Sequence, residues 1–251
     1  MDFLQEIASS GAREASFARA SSAGGSPMVF RRRLSLAEAL GKPGMSFICE
    51  FKRKSPAEGV LSEADSVSVA REYEAAGASA ISVLTEGPHF GGSLEDLSAV
   101  KDVAGIPVLR KDFIVSVRQI EEAIFFGADA ILLIVALLKE KTPEFVDFAR
   151  NLGLECLVEV HDGSELEYAL ESGSNLLGVN NRDLKTLNVD LGTFEAIAPK
   201  VPKDMLLVAE SGIKTRHDVR RMEDAGADAV LIGSSLMRSH NIAEKLGELM
   251  R

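Results

Sequence analysis

Residues 222–233 read MEDAGADAVLIG, and three earlier stretches of the chain follow the same plan. They are YEAAGASAISVL at 73–84, AIFFGADAILLI at 123–134 and ALESGSNLLGVN at 169–180. Each contains the tail of a helix, a glycine, a short polar or small link and an apolar run. Glycine suits the position after a helix because it adopts the left-handed backbone conformation at little cost. The plan predicts helices that are each followed by a strand buried on both faces, as in a parallel sheet.

Apolar runs recur along the chain and are candidate strands. They lie near 46–51, 79–84, 107–111, 129–134, 155–160, 175–180, 205–210 and 228–233. Amphipathic stretches separate them, and the spacing of roughly 20 to 35 residues is the length of one βα unit. Eight such units predict an α/β protein with a closed (β/α)8 barrel, the TIM-barrel fold, formed as a single domain over residues 1–251. A doubly wound open sheet is the alternative, but it usually uses fewer strands.

Composition and charge limit the function. The chain is 46% hydrophobic and 26% charged, as in soluble globular proteins. Its net charge of -10 argues against a nucleic-acid partner, which would require a basic face. No apolar run approaches the roughly 20 residues of a membrane span, and the first residues lack the cations of a signal peptide. Cys49 and Cys156 lie in apolar runs, which favours free thiols. We therefore expect a cytoplasmic protein.

Charged and polar side chains stand where the candidate strands end. They are Glu50, Lys52, Lys111, Glu159, Asn180 and Ser211. Active sites of such barrels lie at the carboxyl ends of the strands. Any one of these residues could be a solvated strand end, but six residues from five strands would converge on one opening. Because burying charges there costs free energy unless they pair or bind a ligand, the set predicts a site for general acid–base chemistry.

The ends of the last two strands predict a phosphate site. Ser211-Gly212-Ile213 and Gly233-Ser234-Ser235 each place a glycine and a hydroxyl where a helix is about to begin. Free backbone N–H groups at such positions favour a phosphate, and loops after strands seven and eight often bind one in these barrels. Either sequence alone is a weak signal, since serine is common before helices. Together they predict a phosphorylated substrate.

Other chemistries find less support. The four histidines show no metal-ligand spacing, so no metal is expected. His161 follows Glu159 at a strand end, and a supporting role behind that acid is a hypothesis. No GxGxxG follows the first strand and no GxSxG elbow is present. A Schiff-base mechanism through Lys111 stays open as an alternative.

Sequence motifs carry a resemblance to a known family. They are CEFKRKSP (49–56), VLTEGPHFGGSLEDL (83–97), PVLRKDFI (107–114), GADAILLIVALL (127–138), LVEVHD (157–162), GVNNRDLKT (178–186), VAESGI (208–213) and LIGSSLMR (231–238). In this order they resemble indole-3-glycerol phosphate synthase, an enzyme of tryptophan biosynthesis, over nearly the whole chain. The resemblance implies a (β/α)8 barrel, extra N-terminal helices over about residues 1–45, and no cofactor or metal.

The resemblance also implies a reaction. The substrate would be 1-(2-carboxyphenylamino)-1-deoxy-D-ribulose 5-phosphate, and the enzyme would be a carboxy-lyase. The ring carbon that bears the carboxylate attacks the ribulose ketone, and carbon dioxide and water are lost as indole-3-glycerol phosphate forms. We expect a monomer whose partner is this phosphorylated small molecule.

Catalytic roles follow from the resemblance residue by residue. Lys111 matches the general acid, and we expect a neighbouring cation and partial desolvation to lower its pKa. Glu159 matches the carboxylate that shuttles a proton during dehydration. Glu50 matches a residue that orients Lys111 and the substrate. Lys52 matches a lysine that binds substrate anions, and Ser211 matches a further active-site residue.

Substrate-binding roles follow in the same way. Asn180 and Arg182 match groups near the substrate carboxylate, because a guanidinium suits a planar anion. The phosphate cradle comprises Gly212, Gly233 and Ser234. Phe113, Leu132 and Leu184 match the apolar walls of the pocket that holds the aromatic ring of the substrate. For these three residues, packing in the protein core is the alternative interpretation. Ser55 and Glu210 are further expected substrate contacts.

The chain departs from the family in the loop after Ser55. Ala57 and Glu58 stand where the family often has a serine and then a cation. We interpret this loop as a lid. A sugar-phosphate isomerase, which would use an acid–base pair such as Asp and Cys, is the nearest alternative function. A barrel that binds a phosphorylated ligand without turnover is another, although simple binding requires no proton shuttle.

Overall fold

The computed structural model describes residues 32–251, and eight parallel strands form a closed barrel within this range. The strands are β1 (Ser46–Phe51), β2 (Ala80–Leu84), β3 (Val108–Lys111), β4 (Ala130–Ile134), β5 (Glu155–Val160), β6 (Leu176–Asn180), β7 (Leu206–Glu210) and β8 (Ala229–Ile232). Each strand pairs with its neighbours along the chain, and β8 closes the barrel against β1. Every predicted run matches its strand to within one residue at each end. The predicted (β/α)8 barrel is therefore confirmed.

Helices connect the strands on the outside of the barrel. The α-helices are Leu36–Leu40, Ser66–Ala75, Gly87–Phe90, Leu94–Val103, Val117–Phe125, Val135–Leu138, Thr142–Asn151, Leu166–Glu171, Gly192–Ile197, Arg216–Asp224, Ser234–Met237 and Ile242–Met250. Short 3₁₀ turns occupy Lys139–Lys141 and Ala198–Lys200. A two-stranded antiparallel hairpin, Lys54–Ser55 with Gly59–Val60, follows β1. None of the helices described for residues 32–251 is long and apolar enough to cross a membrane.

The glycines of the repeated plan have the conformation that the sequence predicts. Their φ angles are 98° at Gly77, 88° at Gly127, 78° at Gly173 and 100° at Gly226. These values are left-handed, which other residues adopt only with strain. Glycine therefore ends each of these four helices and directs the chain into the next strand.

The strands have two apolar faces. Ile48 of β1 belongs to the cluster that fills the inside of the barrel, whereas Phe47, Cys49 and Phe51 pack outward against the helices. Successive side chains of a strand alternate between its faces. Glu50 consequently shares the inner face with Ile48, at the carboxyl end of the barrel.

The described N-terminal helix closes the other end of the barrel. Leu36–Leu40 begins at Ser35, whose hydroxyl donates to Glu155 Oε1 at 2.7 Å, and Ala37 N donates to Glu155 Oε2 at 2.9 Å. Leu36 and Leu40 join the inner apolar cluster. The further helices predicted before residue 32 lie outside the described residues, and the assignment of residues 1–251 to one domain stays a prediction.

Candidate active site

A cavity of about 620 Å³ opens at the carboxyl ends of the strands. Its lining includes every predicted catalytic residue: Lys111, Glu159, Glu50, Lys52, Asn180 and Ser211. It also includes every predicted substrate-binding residue: Ser55, Phe113, Leu132, Arg182, Leu184, Glu210, Gly212, Gly233 and Ser234. The barrel therefore brings together residues that are spread over some 180 positions of the sequence.

A half-buried lysine and two buried acids form the floor of the cavity. Lys111 Nζ lies 2.7 Å from Glu210 Oε2 and 3.0 Å from Glu159 Oε2. Lys111, Glu159 and Glu210 come from β3, β5 and β7, and Glu50 comes from β1. Inward side chains of alternate strands form one layer in such a barrel. The four charged groups therefore occupy one layer, at the level where the apolar filling of the barrel ends.

The charge state of Lys111 differs from the sequence-based expectation. Burial acts to lower its pKa, but Glu159, Glu210 and Glu50 together outweigh burial and raise the pKa above its usual value. The second cation does not reverse this effect, because Lys52 Nζ pairs with Glu50 Oε1 at 2.6 Å. The expected lowering of the Lys111 pKa is therefore wrong. Lys111 is a stable cation at neutral pH.

The two acids beside Lys111 have opposite protonation. Burial raises the pKa of Glu210 to about 8, and the charge of Glu159 adds to this effect while Lys111 opposes it. Burial also acts to raise the pKa of Glu159, but Lys111 and His161 outweigh it and hold that pKa below its usual range. These opposite shifts favour a protonated Glu210 and an ionised Glu159. The site thus holds a proton donor and a proton acceptor side by side.

Two glycines make room for the buried acids. A Cβ at Gly178 on β6 would clash with Glu210 Oε1, and a Cβ at Gly233 would clash with Glu50 Oε1. Gly233 was predicted as part of the phosphate cradle, whereas Gly178 was missed. The signal for Gly178 was present, because a glycine inside a strand often marks close approach of another group.

The loops after β7 and β8 present backbone groups to the cavity. Ser211 and Gly212 have left-handed φ angles of 64° and 84°, which is unusual for the serine. Asn181 holds this turn, because its Nδ2 donates to Glu210 O at 3.0 Å and to Ser211 O at 3.2 Å. Ser211, Gly212 and Ile213 of this turn line the cavity, and the backbone N–H groups of such a tight turn can bind an anion. Asn181 is a positioning residue that the sequence analysis did not single out.

A cation stands near the anion cradle on the loop after β6. Arg182 N donates to Asn180 Oδ1 at 3.0 Å, and Arg182 Nη1 donates to Leu187 O at 2.9 Å. These bonds fix the guanidinium at the edge of the cavity. Arg182 retains other N–H groups that can bind a carboxylate.

Four apolar side chains also line the cavity and are called the apolar wall. Phe113, Leu132 and Leu184 form it together with Phe90, whose ring centroid lies 6.2 Å from that of Phe113. Phe90 was missed, because it lies at the end of helix Gly87–Phe90 rather than at a strand end. Glu86 fixes that helix by accepting from His89 N at 2.7 Å and from Phe90 N at 3.0 Å. The wall suits a flat aromatic ring.

The hairpin after β1 covers part of the opening. Glu58 at its turn donates its N–H to Ser55 Oγ at 3.2 Å, and its carbonyl accepts from Arg238 Nη2 at 3.2 Å. The Glu58 carboxylate lies 3.8 Å from Arg238 Nη2. Burial acts to raise the pKa of Glu58, but bonding to Ser234 and the charge of Arg238 lower it overall. An anionic carboxylate therefore stands beside the predicted phosphate cradle.

The described residues provide neither a metal-binding cluster nor a cysteine to this site. Within residues 32–251 no group of three His, Cys, Asp or Glu side chains could hold a metal ion. Cys49 and Cys156 are free and buried, and burial raises the pKa of both thiols. Cys49 lies on the outer face of β1, away from the cavity. The expected absence of a cofactor stays a prediction.

The fold and the site together define a (β/α)8-barrel enzyme with an acid–base centre beside an anion cradle. Comparison of the sequence with known families gives a match to Indole-3-glycerol phosphate synthase over residues 6–249. The chain belongs to the indole-3-glycerol phosphate synthase family, as the sequence motifs predicted.

Curated relatives agree with this family. The indole-3-glycerol phosphate synthase of Endomicrobium trichonymphae is 47% identical over 218 residues, which cover 86% of this chain and 84% of that protein. Indole-3-glycerol phosphate synthase 1 of Streptomyces coelicolor is 49% identical over 214 residues, which cover 84% of this chain and 80% of that protein.

More distant structures share the fold alone. A thiamine phosphate pyrophosphorylase from Pyrococcus furiosus superposes with a TM-score of 0.64 at 19% identity, covering 86% of this chain and 96% of that one. A 3-hexulose-6-phosphate synthase superposes with a TM-score of 0.66 at 14% identity, covering 82% of this chain and 98% of that one.

Proposed function

We propose that the chain is an indole-3-glycerol phosphate synthase. It converts 1-(2-carboxyphenylamino)-1-deoxy-D-ribulose 5-phosphate to indole-3-glycerol phosphate, carbon dioxide and water, as a step of tryptophan biosynthesis. The observation that carries this proposal is the position of Lys111 between two buried acids, Glu159 at 3.0 Å and Glu210 at 2.7 Å. This centre lies between an apolar wall and an anion cradle, which are the two surfaces that the substrate requires.

Substrate binding uses charges on different loops. The phosphate lies against the backbone N–H groups around Gly212 and Gly233 and against the Ser234 hydroxyl. The flat ring lies against Phe113 and the other apolar residues of the wall, and Arg182 binds the ring carboxylate in a bidentate manner. These local cations and dipoles, rather than the net charge of -10, bind an anionic substrate.

Ring closure then uses the floor of the cavity. The ketone oxygen gains negative charge as the ring carbon attacks, and Lys111 donates a proton to it. Loss of carbon dioxide restores the aromatic ring. The new hydroxyl leaves as water with a proton from Glu210, and Glu159 accepts a proton from the neighbouring carbon. Glu50 keeps Lys52 in place and adds negative charge that keeps Lys111 protonated before the reaction.

The first experiment mixes the purified protein with this substrate in buffer that contains EDTA and follows indole fluorescence. A rise establishes ring closure and its independence of added metal. Glu159→Gln is expected to lower kcat by about 10²–10⁴-fold with KM little changed, because the amide cannot accept a proton. Tight binding of substrate without fluorescence would support a binding protein instead, and the absence of binding would sink the proposal.

The alternative chemistries meet obstacles in the site. A Schiff base requires a neutral amine, whereas the surrounding acids keep Lys111 cationic. Borohydride trapping with substrate tests this directly, and no adduct is expected. An isomerase that uses a cysteine would require a thiol in the cavity, but Cys49 faces the helices. A monomeric state and a cytoplasmic location stay predictions, and sedimentation at several protein concentrations tests the first.

A further inference from the structure

A second cavity of about 870 Å³ lies beside the active site, among the loops after β4, β5 and β6. His161, Glu165 and Tyr168 line it, and Leu184 lines both cavities. Glu159 lines the active site, whereas His161 lines the second cavity. The boundary between the two spaces therefore runs between the side chains of Glu159 and His161.

The His161 imidazole lies between the carboxylates of Glu159 and Glu165. Its Nε2 lies 3.0 Å from Glu159 Oε1, and its Nδ1 lies 3.4 Å from Glu165 Oε2. Glu165 also accepts from His161 N at 2.7 Å, which fixes the backbone of the histidine. The imidazole is only 8% exposed. These distances place a row of titratable groups from Lys111 through Glu159 and His161 to Glu165, at the wall of the second cavity. Neither imidazole nitrogen makes a hydrogen bond among the described residues, so a small rotation of the ring aligns it with either acid.

The proposed reaction consumes one proton in each turnover. The ketone oxygen takes one proton when the new carbon–carbon bond forms, and the leaving hydroxyl takes a second to become water. One proton is released from the neighbouring carbon when the double bond forms. The carboxylate leaves as carbon dioxide, and its bonding electrons return to the ring. Two protons are consumed and one is released, so each turnover must draw one proton from solvent.

We infer that His161 supplies this proton from the second cavity. After a turnover Lys111 is neutral, Glu210 is ionised and Glu159 holds the proton taken from carbon. Glu159 returns that proton to Lys111 and then accepts one from His161, and Lys111 passes a proton to Glu210 across their 2.7 Å contact. This inference rests on the proposed function and adds a positioning and relay residue to it. Burial acts to lower the pKa of His161, but Glu159 and Glu165 raise it to about 10, so the imidazole holds a proton at pH 7. Neutral Lys111 is the stronger base, because its pKa lies above its usual value.

The test separates the first turnover from later ones. Enzyme is mixed rapidly with excess substrate at low buffer concentration, and indole fluorescence is followed for wild type, His161→Gln and His161→Ala. The first turnover should stay close to wild type, because Lys111 and Glu210 start with their own protons. Later turnovers should be about 10²-fold slower in both variants. Millimolar imidazole should restore them in His161→Ala but not in His161→Gln, whose side chain fills the space.

Two control variants complete the design. His240→Ala removes an exposed histidine that lines neither cavity, and it should behave as wild type. Glu165→Gln keeps the imidazole but removes the acid at the second cavity, and it should slow later turnovers alone. Equal slowing of first and later turnovers would indicate a merely structural role for His161 and would overturn the relay.

Other outcomes are equally decisive. Wild-type rates in His161→Gln would overturn the relay while leaving the proposed function intact. If the His161 variants do not fold, unchanged later turnovers in Glu165→Gln overturn the relay. A wild-type chain that forms no indole product would refute the proposed function itself, and the relay with it.

Discussion

Two ion-paired lysines, the buried Lys101 and the half-buried Lys111, lie at opposite ends of the same barrel and differ in their surroundings. At the amino-terminal end, Lys101 Nζ lies 2.5 Å from Asp129 Oδ2. Asp129 also accepts from Val108 N at 2.8 Å and from Leu34 N at 2.9 Å. At the carboxyl end, Lys111 contacts two acids at the floor of a 620 Å³ cavity. Hydrogen bonds to neighbouring backbone groups surround the Lys101–Asp129 pair, whereas Lys111 and its two acids face the cavity.

The difference shows that a buried ion pair is not by itself a sign of function. Lys101 and Asp129 neutralise each other, and their bonds tie a helix to the start of two strands. The carboxyl end instead gathers Glu50, Glu159 and Glu210 around Lys52 and Lys111. An excess of acid that faces a cavity shifts proton affinities and leaves groups available to a ligand, which is the arrangement that acid–base chemistry needs.

The largest effect should come from Lys111→Met. We expect kcat to fall by about 10²–10⁴-fold with KM little changed, because the ketone oxygen loses its proton donor. Steady-state fluorescence assays measure this change, and circular dichroism checks that the fold is kept. A variant that turns over at the wild-type rate would remove Lys111 from the mechanism.

Lys101→Met should affect stability instead. Breaking a buried pair by removing one partner is expected to cost roughly 3–5 kcal/mol of the free energy of unfolding. Urea denaturation measures this loss, and kcat per folded molecule should stay at the wild-type value. A loss of kcat as large as that of Lys111→Met would erase the distinction between the two ends of the barrel.

The pH dependence of the free energy of unfolding should reveal the raised pKa of Glu210 at the carboxyl end. The pKa of Glu210 is about 8 in the folded chain, above the usual value of 4.5. Between these values the folded chain binds more protons than the unfolded chain, so stability falls as pH rises. The slope for one such group is up to about 1.4 kcal/mol per pH unit. Glu210→Gln should remove it, as urea denaturation from pH 5 to pH 8 can measure.

His161 contributes to the upper part of the same range. Its folded pKa of about 10 exceeds the usual 6.5, so its contribution to stability also declines as pH rises from about 6.5. The slope that Glu210→Gln removes should therefore be clearest between pH 5 and pH 6.5. An unchanged slope in that interval would contradict the raised pKa of Glu210.

The smallest effect should come from Glu58→Gln. The Glu58 carboxylate lies beside Ser234, where it repels a substrate phosphate and competes with it for the same hydroxyl. Removal of the charge should therefore lower KM by about twofold to fivefold, which is the size expected for a weak charge interaction near the surface. Competitive inhibition by inorganic phosphate should strengthen similarly. Glu63→Gln, an exposed acid that does not line the cavity, is the matched control. Equal effects of both variants would indicate a general charge effect.

Much of the fold and site could be predicted because local patterns are strong in this chain. Apolar runs and the glycines before them located each strand, and parallel strands place their carboxyl ends at one edge. The residues at those ends therefore had to meet. This argument did not predict Phe90, which lies on a short helix. It also did not predict Gly178, whose lack of a side chain leaves room for the Glu210 carboxylate.

The sequence by itself determined the barrel, the end at which the site lies and the residue types that line it. Only the tertiary structure decided which acids hold Lys111, that its pKa is raised rather than lowered, and that His161 connects Glu159 to a second cavity. The physical reason is that proton affinity depends on burial and on distances of a few ångströms between charges. Lys111 and Glu210 are 99 residues apart in the chain, and their 2.7 Å contact exists only once the barrel has closed.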